Sequence, residues 1–320
     1  MSYETNENLE SSASPSNQLS RYDNQIELRE LIKVLWRGKF WIIGVTFIAA
    51  VTSVFMALSL PNIYRAEMLL AVDEGDSGGL AGLAAQYGGI AGLAGISLPS
   101  FGTGDKNVGL AKLQSRQFIT DFLENHNILP ELMAVEAYNR ETGELVYDSE
   151  VYDELSNTWV RDVQPPLLNK PSDQEATLVF QGILGVSENI ETGFVTVSID
   201  HFSPLIAYEW VTWLVDDLNR EMMLEAVAEA QQSVDYLTEQ LASTQVVALE
   251  QVFYSLIEEQ MKTIMLANSR PEYLFKTIDP AIAPEMKFRP RRALICILGT
   301  LLGGMLGVAG VLVRQYAFRN

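Results

Sequence analysis

The chain has 320 residues, 48% of them hydrophobic, and a formal net charge of −19 at pH 7. That acidity, with no basic groove to relieve it, excludes nucleic acid as a partner, because phosphate would be repelled. The one cysteine, Cys296, lies inside an apolar run, so no intrachain disulfide forms.

Two uncharged apolar runs, Phe40 to Leu60 and Ala293 to Val313, bracket a polar middle. Each has about 21 residues, and a rise of about 1.5 Å per residue carries such a helix across a hydrocarbon core of roughly 30 Å. Both are expected to be transmembrane helices, which places the two ends of the chain in one compartment and residues 61–292 in the other. Residues 1–25, rich in Ser, Asn and Glu, have too few apolar groups to offset ordering entropy and read as a disordered tail. Residues 26–39 form an amphipathic juxtamembrane segment through Ile26, Leu28, Leu31, Ile32, Leu35 and Trp36, with Trp36 and Trp41 at interfacial depth. The long lead before the first run, with no small-residue cleavage site after it, argues for an anchor rather than a cleaved signal peptide. Arg29, Lys33, Arg37 and Lys39 before that run predict a cytoplasmic amino terminus. Lys287, Arg289, Arg291 and Arg292 before the second span, against Arg314 and Arg319 after it, oppose this. Long translocated domains escape the rule, and the first helix usually sets topology.

After Pro61, Tyr64 to Val72 alternates as a strand. Half of the 22 glycines then fall between Gly75 and Gly109, and the segment from Gly78 to Ala84 recurs as Gly88 to Ala94. No G-x-x-x-x-G-K-[ST] occurs, so this is not a phosphate loop. Gly78, Gly82, Gly88 and Gly92 are candidates for close packing between copies of the chain; a plain flexible loop is the alternative. Val108 to Leu129 has the spacing of one helix, ended by Asn127 and Pro130. Residues 130–173 read as loop with short helices. Glu175 to Leu184 is expected to be helical, and strands at Gly185–Ser187 and Phe194–Ile199 flank an Glu191-Thr192-Gly193 turn.

Ser203-Pro204 gives an N-cap followed by proline at the first helical position. No Pro or Gly follows until after Asn268, so residues 204–268 are expected to form one long helix of about 95 Å. A break is placed near Ala242 to Val247, where propensity weakens. Such a length points to a coiled coil or a strut. Leu274 to Ile278 returns as a strand, followed by Pro280, Pro284, Pro290 and Arg291 at the membrane edge. Within the second span, Gly299, Gly303 and Gly307 are spaced by four, which permits close helix contact in packing or with a partner.

No catalytic constellation emerges. His126 and His201 are far apart and outside any metal-spaced cluster, and Asp216-Asp217 and Glu258-Glu259 read as solvated helix faces. No metal or cofactor is expected, and the chain is read as no enzyme.

Ile26-Glu27-Leu28 through Leu35-Trp36-Arg37-Gly38-Lys39, then Ser115-Arg116-Gln117-Phe118, Ser203-Pro204, Met265-Leu266-Ala267-Asn268 and the Pro-rich entry to the second span form an ordered set. It resembles the Wzz-type polysaccharide co-polymerases, or chain-length determinant proteins. Where that family commonly has Ser-Pro-Lys, this chain has Arg289-Pro290-Arg291, keeping the proline and one cation. With seven residues after Val313 and no P-loop, the likeness is to the kinase-free type. The resemblance implies an α+β inner-membrane protein with two transmembrane helices, 40–60 and 293–313, and cytoplasmic ends at 1–25 and 314–320. Between them it implies a periplasmic domain, 61–292, with an α/β base from 61–202 and 270–284 and a long helical, coiled-coil-like protrusion from 204–268. It further implies a ring-like homo-oligomer that sets polysaccharide length, commonly of lipopolysaccharide O antigen, beside a Wzy-type polymerase. Nascent polysaccharide and membrane lipid are its other expected partners. A capsule or exopolysaccharide accessory protein, or more remotely a two-span sensor, are the alternatives.

Overall fold

A computed structural model describes residues 35–72, 103–243 and 246–317. Gly78, Gly82, Gly88 and Gly92, residues 1–25 and most of the juxtamembrane segment lie outside the described residues. The chain divides into two compact units, Ala57–Arg292 and a second built from the segments up to Met56 and from Ala293.

In the larger unit, four strands form an antiparallel sheet in the order β6-β7-β1-β8, with β1 at Tyr64–Val72, β6 at Leu184–Glu188, β7 at Val195–His201 and β8 at Phe275–Asp279. Alternation decides its faces. Tyr64, Ala66, Met68 and Leu70 on β1, with Val195, Val197 and Ile199 on β7, are buried. On the opposite face Arg65 sits directly across from Asp200 and donates two hydrogen bonds to its carboxylate, at 2.6 and 2.8 Å. The β6–β7 turn follows the sequence signal: Gly193 has φ +72°, and the Asn189 side chain accepts from the Glu191 and Thr192 amides.

The core is closed by helices. One continuous cluster joins the sheet to Leu113 of α2 (Thr103–Leu113) and to Phe118, Ile119, Phe122 and Leu123 of α3 (Arg116–His126). It also takes in Phe180 of α5 (Asp173–Ile183) and Trp210, Val211, Leu214, Val215 and Leu218 of α6 (Pro204–Ser243). The single helix expected over 108–129 is two, because Ser115 leaves helical geometry and its hydroxyl accepts from the Phe118 amide to cap α3. Asn127 ends α3 in the left-handed region, as its sequence position indicated. Helix α5 begins with a Ser172–Glu175 capping box, and Arg161 grips the same carboxylate at 2.8 and 2.9 Å, holding it down to about 2.

Two stretches correct the sequence reading. Residues 130–173, expected as loop with short helices, hold the short helix α4 (Leu129–Met133) and two hairpins. The hairpins are β2–β3 (Val135–Asn139, Glu144–Tyr147) and β4–β5 (Tyr152–Asp153, Thr158–Trp159). These strands of 2–5 residues are too short to carry a periodic signal; Gly143 and Asn157, both at positive φ, make their turns. The helix expected over 204–268 is two, α6 and α7 (Val247–Ser269), and the anticipated break is a reversal rather than a bend. Leu237, Phe253 and Leu256 are buried together, with Leu241, Leu249, Val252 and Ile257 packed on them, so α7 runs back along α6. The protrusion is a helical hairpin built from the part of α6 beyond the core residue Met222 and from α7; α6 as a whole, 40 residues, spans about 60 Å.

The smaller unit contains most of the two apolar helices, α1 (Lys39–Ser59) and α8 (Arg292–Ala317), each long and apolar enough to cross a membrane.

Candidate functional site

The membrane-proximal segment is assembled by the first and last parts of the larger unit. From β8 the chain runs through Pro280 and Pro284, which lack an amide donor and so cannot extend the sheet. The Glu285 carbonyl accepts from Arg140, beside the tip of the β2–β3 hairpin, at 2.6 Å. Ile63 then pairs with Arg289: its amide donates to the Arg289 carbonyl at 2.9 Å, and its carbonyl accepts from Phe288 and Arg289 at 2.8 and 3.2 Å. The Arg65 guanidinium lies 3.7 Å from the Phe288 ring centre, and that of Arg289 at 5.0 Å. Burial lowers the pKa of Arg65 less than its Asp200 partner, the largest influence, raises it. Lys287 and Arg292 both donate to the Asn62 side chain at 3.2 Å, and Arg292 reaches the Leu60 carbonyl at 3.4 Å. Leu60, Pro61, Ile63, Phe288, Arg289, Pro290 and Arg291 line a cleft of about 520 Å³. Of the residues singled out in the sequence, Pro290 and Arg291 are brought together here, whereas Pro280 and Pro284 do not line the cleft.

Gly299, Gly303 and Gly307 all face the first span of the same chain. A β-carbon at Gly299 would meet Ser53, at Gly303 the Ala49 methyl, and at Gly307 the Ile42 Cα at 3.2 Å. At the other end Gly38 meets Val311. The small residues let the two spans approach closely. Phe40, Phe47 and Phe55 on α1, and Leu302, Leu306 and Val313 on α8, are left exposed.

Inside the larger unit, three polar side chains tie α6 to its neighbours. Asn219, buried, donates to the Phe275 carbonyl at 2.9 Å and accepts from the Leu274 and Phe275 amides at 3.0 and 2.8 Å. His126 bonds Asp217 at 2.7 Å and stacks on Trp213 with ring centres 4.7 Å apart. Asp217, read in the sequence as part of a solvated face, is therefore half-enclosed and also accepts from Arg220 at 2.6 Å. Burial, then the Asp217 charge, pushes its neighbour Asp216 up.

His201 is buried at the end of β7. Its Nδ1 accepts from the Ser203 amide at 3.1 Å, so its Nε2–H donates to the Glu131 carbonyl at 3.1 Å and the ring is neutral. Burial lowers its pKa. A depressed histidine contributes stability that is full above the unfolded value near 6.5 and is lost as pH falls through the folded value. Burial raises the Glu131 carboxyl, which acts in the opposite sense at lower pH. Acidifying from pH 7.5 to 5.5 is expected to lower the thermal midpoint of the protein. In His201→Asn that slope is expected to flatten while the whole curve drops; an unchanged slope would remove His201 as its source.

Sequence reasoning missed Arg65, Phe288 and Asn219. Asn219 carried a signal: it falls four residues after Val215 and eight after Val211 on the apolar face of α6. Among the described residues no cluster of His, Cys, Asp or Glu is placed to hold a metal.

Two spanning helices and an α+β domain with a helical hairpin define a two-span membrane protein. The family described as chain length determinant protein matches residues 24–126, and that described as G-rich domain on putative tyrosine kinase matches residues 241–316. These matches lie in order at the two ends of the domain and include both spans. The chain thus carries a chain length determinant domain over its first third and, toward its other end, a G-rich domain of the kind named for putative tyrosine kinases. Among solved structures it is similar to a full-length bacterial polysaccharide co-polymerase, at 15% identity and TM-score 0.40, covering 91% of this chain and 98% of the other. It is also similar to a fragment of WzzB, the polysaccharide co-polymerase from Salmonella Typhimurium, at 13% identity and TM-score 0.26, covering 71% and 100%. No curated protein matches the chain.

Proposed function

We propose that this protein sets the length of a surface polysaccharide, lipopolysaccharide O antigen in the first instance, without catalysing its synthesis. It acts as an inner-membrane homo-oligomer beside a Wzy-type polymerase, with residues 61–292 in the periplasm and both ends in the cytoplasm. The observation that carries this reading is the chain length determinant match across the first span, β1 and the helices up to His126. The fold is in keeping with it: a sheet-based body extended by a helical hairpin offers side-by-side surfaces rather than an enclosed reaction site. The collar around Pro290 and Arg291 and the exposed apolar faces of the two spans are where the polymerase would be met; Pro280 and Pro284 shape the approach to that collar.

Deleting the gene is expected to broaden or shift the ladder of O-antigen lengths on a gel, and the intact gene should restore it. An unchanged ladder would overturn the O-antigen role. A second reading, capsule or exopolysaccharide polymerisation and export, is favoured by the match to a domain named for putative tyrosine kinases. It expects the deletion to change the size of that polymer instead.

A further inference from the structure

The cations at the collar oppose the positive-inside pattern. Among the described residues no carboxylate forms an ion pair with Lys287, Arg289, Arg291 or Arg292. Lys287 and Arg292 are instead turned onto Asn62, a neutral acceptor. Arg65 beside them is already neutralised by Asp200. In a chain of net charge −19, four cations within six residues make a local excess of positive charge.

The cleft under them joins that charge to apolar walls. Leu60, Pro61, Ile63, Phe288 and Pro290 supply the walls, and Arg289 and Arg291 stand exposed at the same cleft. Leu60 follows α1 directly and Arg291 precedes α8 directly, so the residues lining the cleft adjoin both candidate spans along the chain. A ligand that fits must carry a negative group at headgroup level and a hydrocarbon body below it. Water-soluble anions answer only the first requirement.

We infer that this cleft seats the phosphate headgroup of an anionic membrane lipid, held by Arg289 and Arg291 with acyl carbon against Leu60, Pro61 and Pro290. Guanidinium groups suit the task because their forked donors match phosphate oxygens. Near a membrane surface each cation contributes a modest but additive attraction for anionic lipid. Lys287 and Arg292 act by position, fixing the 287–292 segment to Asn62. The lipid would also explain why cations stand on this side of the second span. The site stands on the two-span frame alone, so its failure leaves the chain-length role untouched.

The test uses the full chain in detergent micelles, titrated with phosphatidylglycerol or phosphatidylcholine of the same acyl chains, with retained lipid read by native mass spectrometry. The wild-type protein is expected to retain phosphatidylglycerol about tenfold better or more, and Arg289→Gln/Arg291→Gln to lose that preference with its thermal midpoint unchanged. Arg314→Gln, at the other end of α8, should keep it. Excess inorganic phosphate should leave the lipid bound. Equal retention by wild type and the double variant would overturn the site, and equal loss in Arg314→Gln would assign the preference to overall charge. Displacement by inorganic phosphate would make this a free-anion site and overturn the lipid. If the double variant fails to fold, Arg291→Gln alone, at an exposed position, reads the same preference, and its retention in full overturns the proposal.

Discussion

Replacing Asn219 with alanine is expected to destabilise the 57–292 unit by about 3 kcal/mol or more, a large effect for one side chain. The reason lies in where its three hydrogen bonds go. β8 is an edge strand, paired on one side with β1. The Asn219 amide bonds Leu274 and Phe275 from the helix and so stands in for a neighbouring strand. Leu274 and Phe275 are buried, so alanine leaves two amides and a carbonyl with neither protein nor water as partner, at about 1–3 kcal/mol each before relaxation. For a unit of this size the thermal midpoint should fall by about 6–12 °C. Asn219→Asp should not rescue it, since it keeps the acceptors but loses the donor and buries a charge. Asn268→Ala is the control: that residue is exposed and bonds only within its own helix, to Ile264, so a change within about 0.5 kcal/mol is expected. A midpoint in Asn219→Ala within about 2 °C of wild type would show that the α6–β8 contact holds without the amide.

Asn219 also marks the limit of what the chain discloses unaided. The spans, β1, the Asn127 stop, the Gly193 turn and the Ser203-Pro204 start all rest on local chemistry, and each is found where the residues put it. The protrusion was half legible. Its apolar spacing continues through both arms, and no Pro or Gly interrupts residues 204–268, so the weak propensity near residue 243 pointed to a break but not to its angle. Reversal is decided by Leu237 meeting Phe253 and Leu256, a tertiary event. The collar was least legible, because Asn62 and Arg292 are 230 positions apart and neither belongs to a motif. Arg289-Pro290-Arg291 was visible as a sequence, but three of the five apolar residues that wall its cleft, Leu60, Pro61 and Ile63, come from the other end of the domain.

Gly303→Leu is expected to force the two spans apart. Of the three glycines in the second span's G-x-x-x-G series, Gly303 and Gly299 have the least room to give, and Gly303 lies mid-span. Its β-carbon would overlap the Ala49 methyl, which is fixed directly to the helix backbone and cannot rotate away. At Gly307 the nearest backbone atoms, Ile42 Cα and O, stand at 3.2 and 3.3 Å, so alanine needs a shift of a few tenths of an ångström. Gly304, one residue on, would place its β-carbon 3.7 Å from the Thr46 hydroxyl, an ordinary contact. The expected order of destabilisation is therefore Gly303→Leu, then Gly303→Ala, then Gly307→Ala, with Gly304→Ala near wild type. Overpacking costs of about 1–3 kcal/mol apply to the first two. Thermal midpoints of the full chain in detergent would read the series, and electron–electron distances between spin labels on the two spans would read their separation. If Gly304→Ala proved as damaging as Gly303→Ala, the contact would follow overall flexibility of the glycine-rich helix rather than this face. If all four left stability and spacing unchanged but altered polysaccharide length, the glycines would be meeting another protein and not Ala49, and the close pairing of the spans would have to be abandoned.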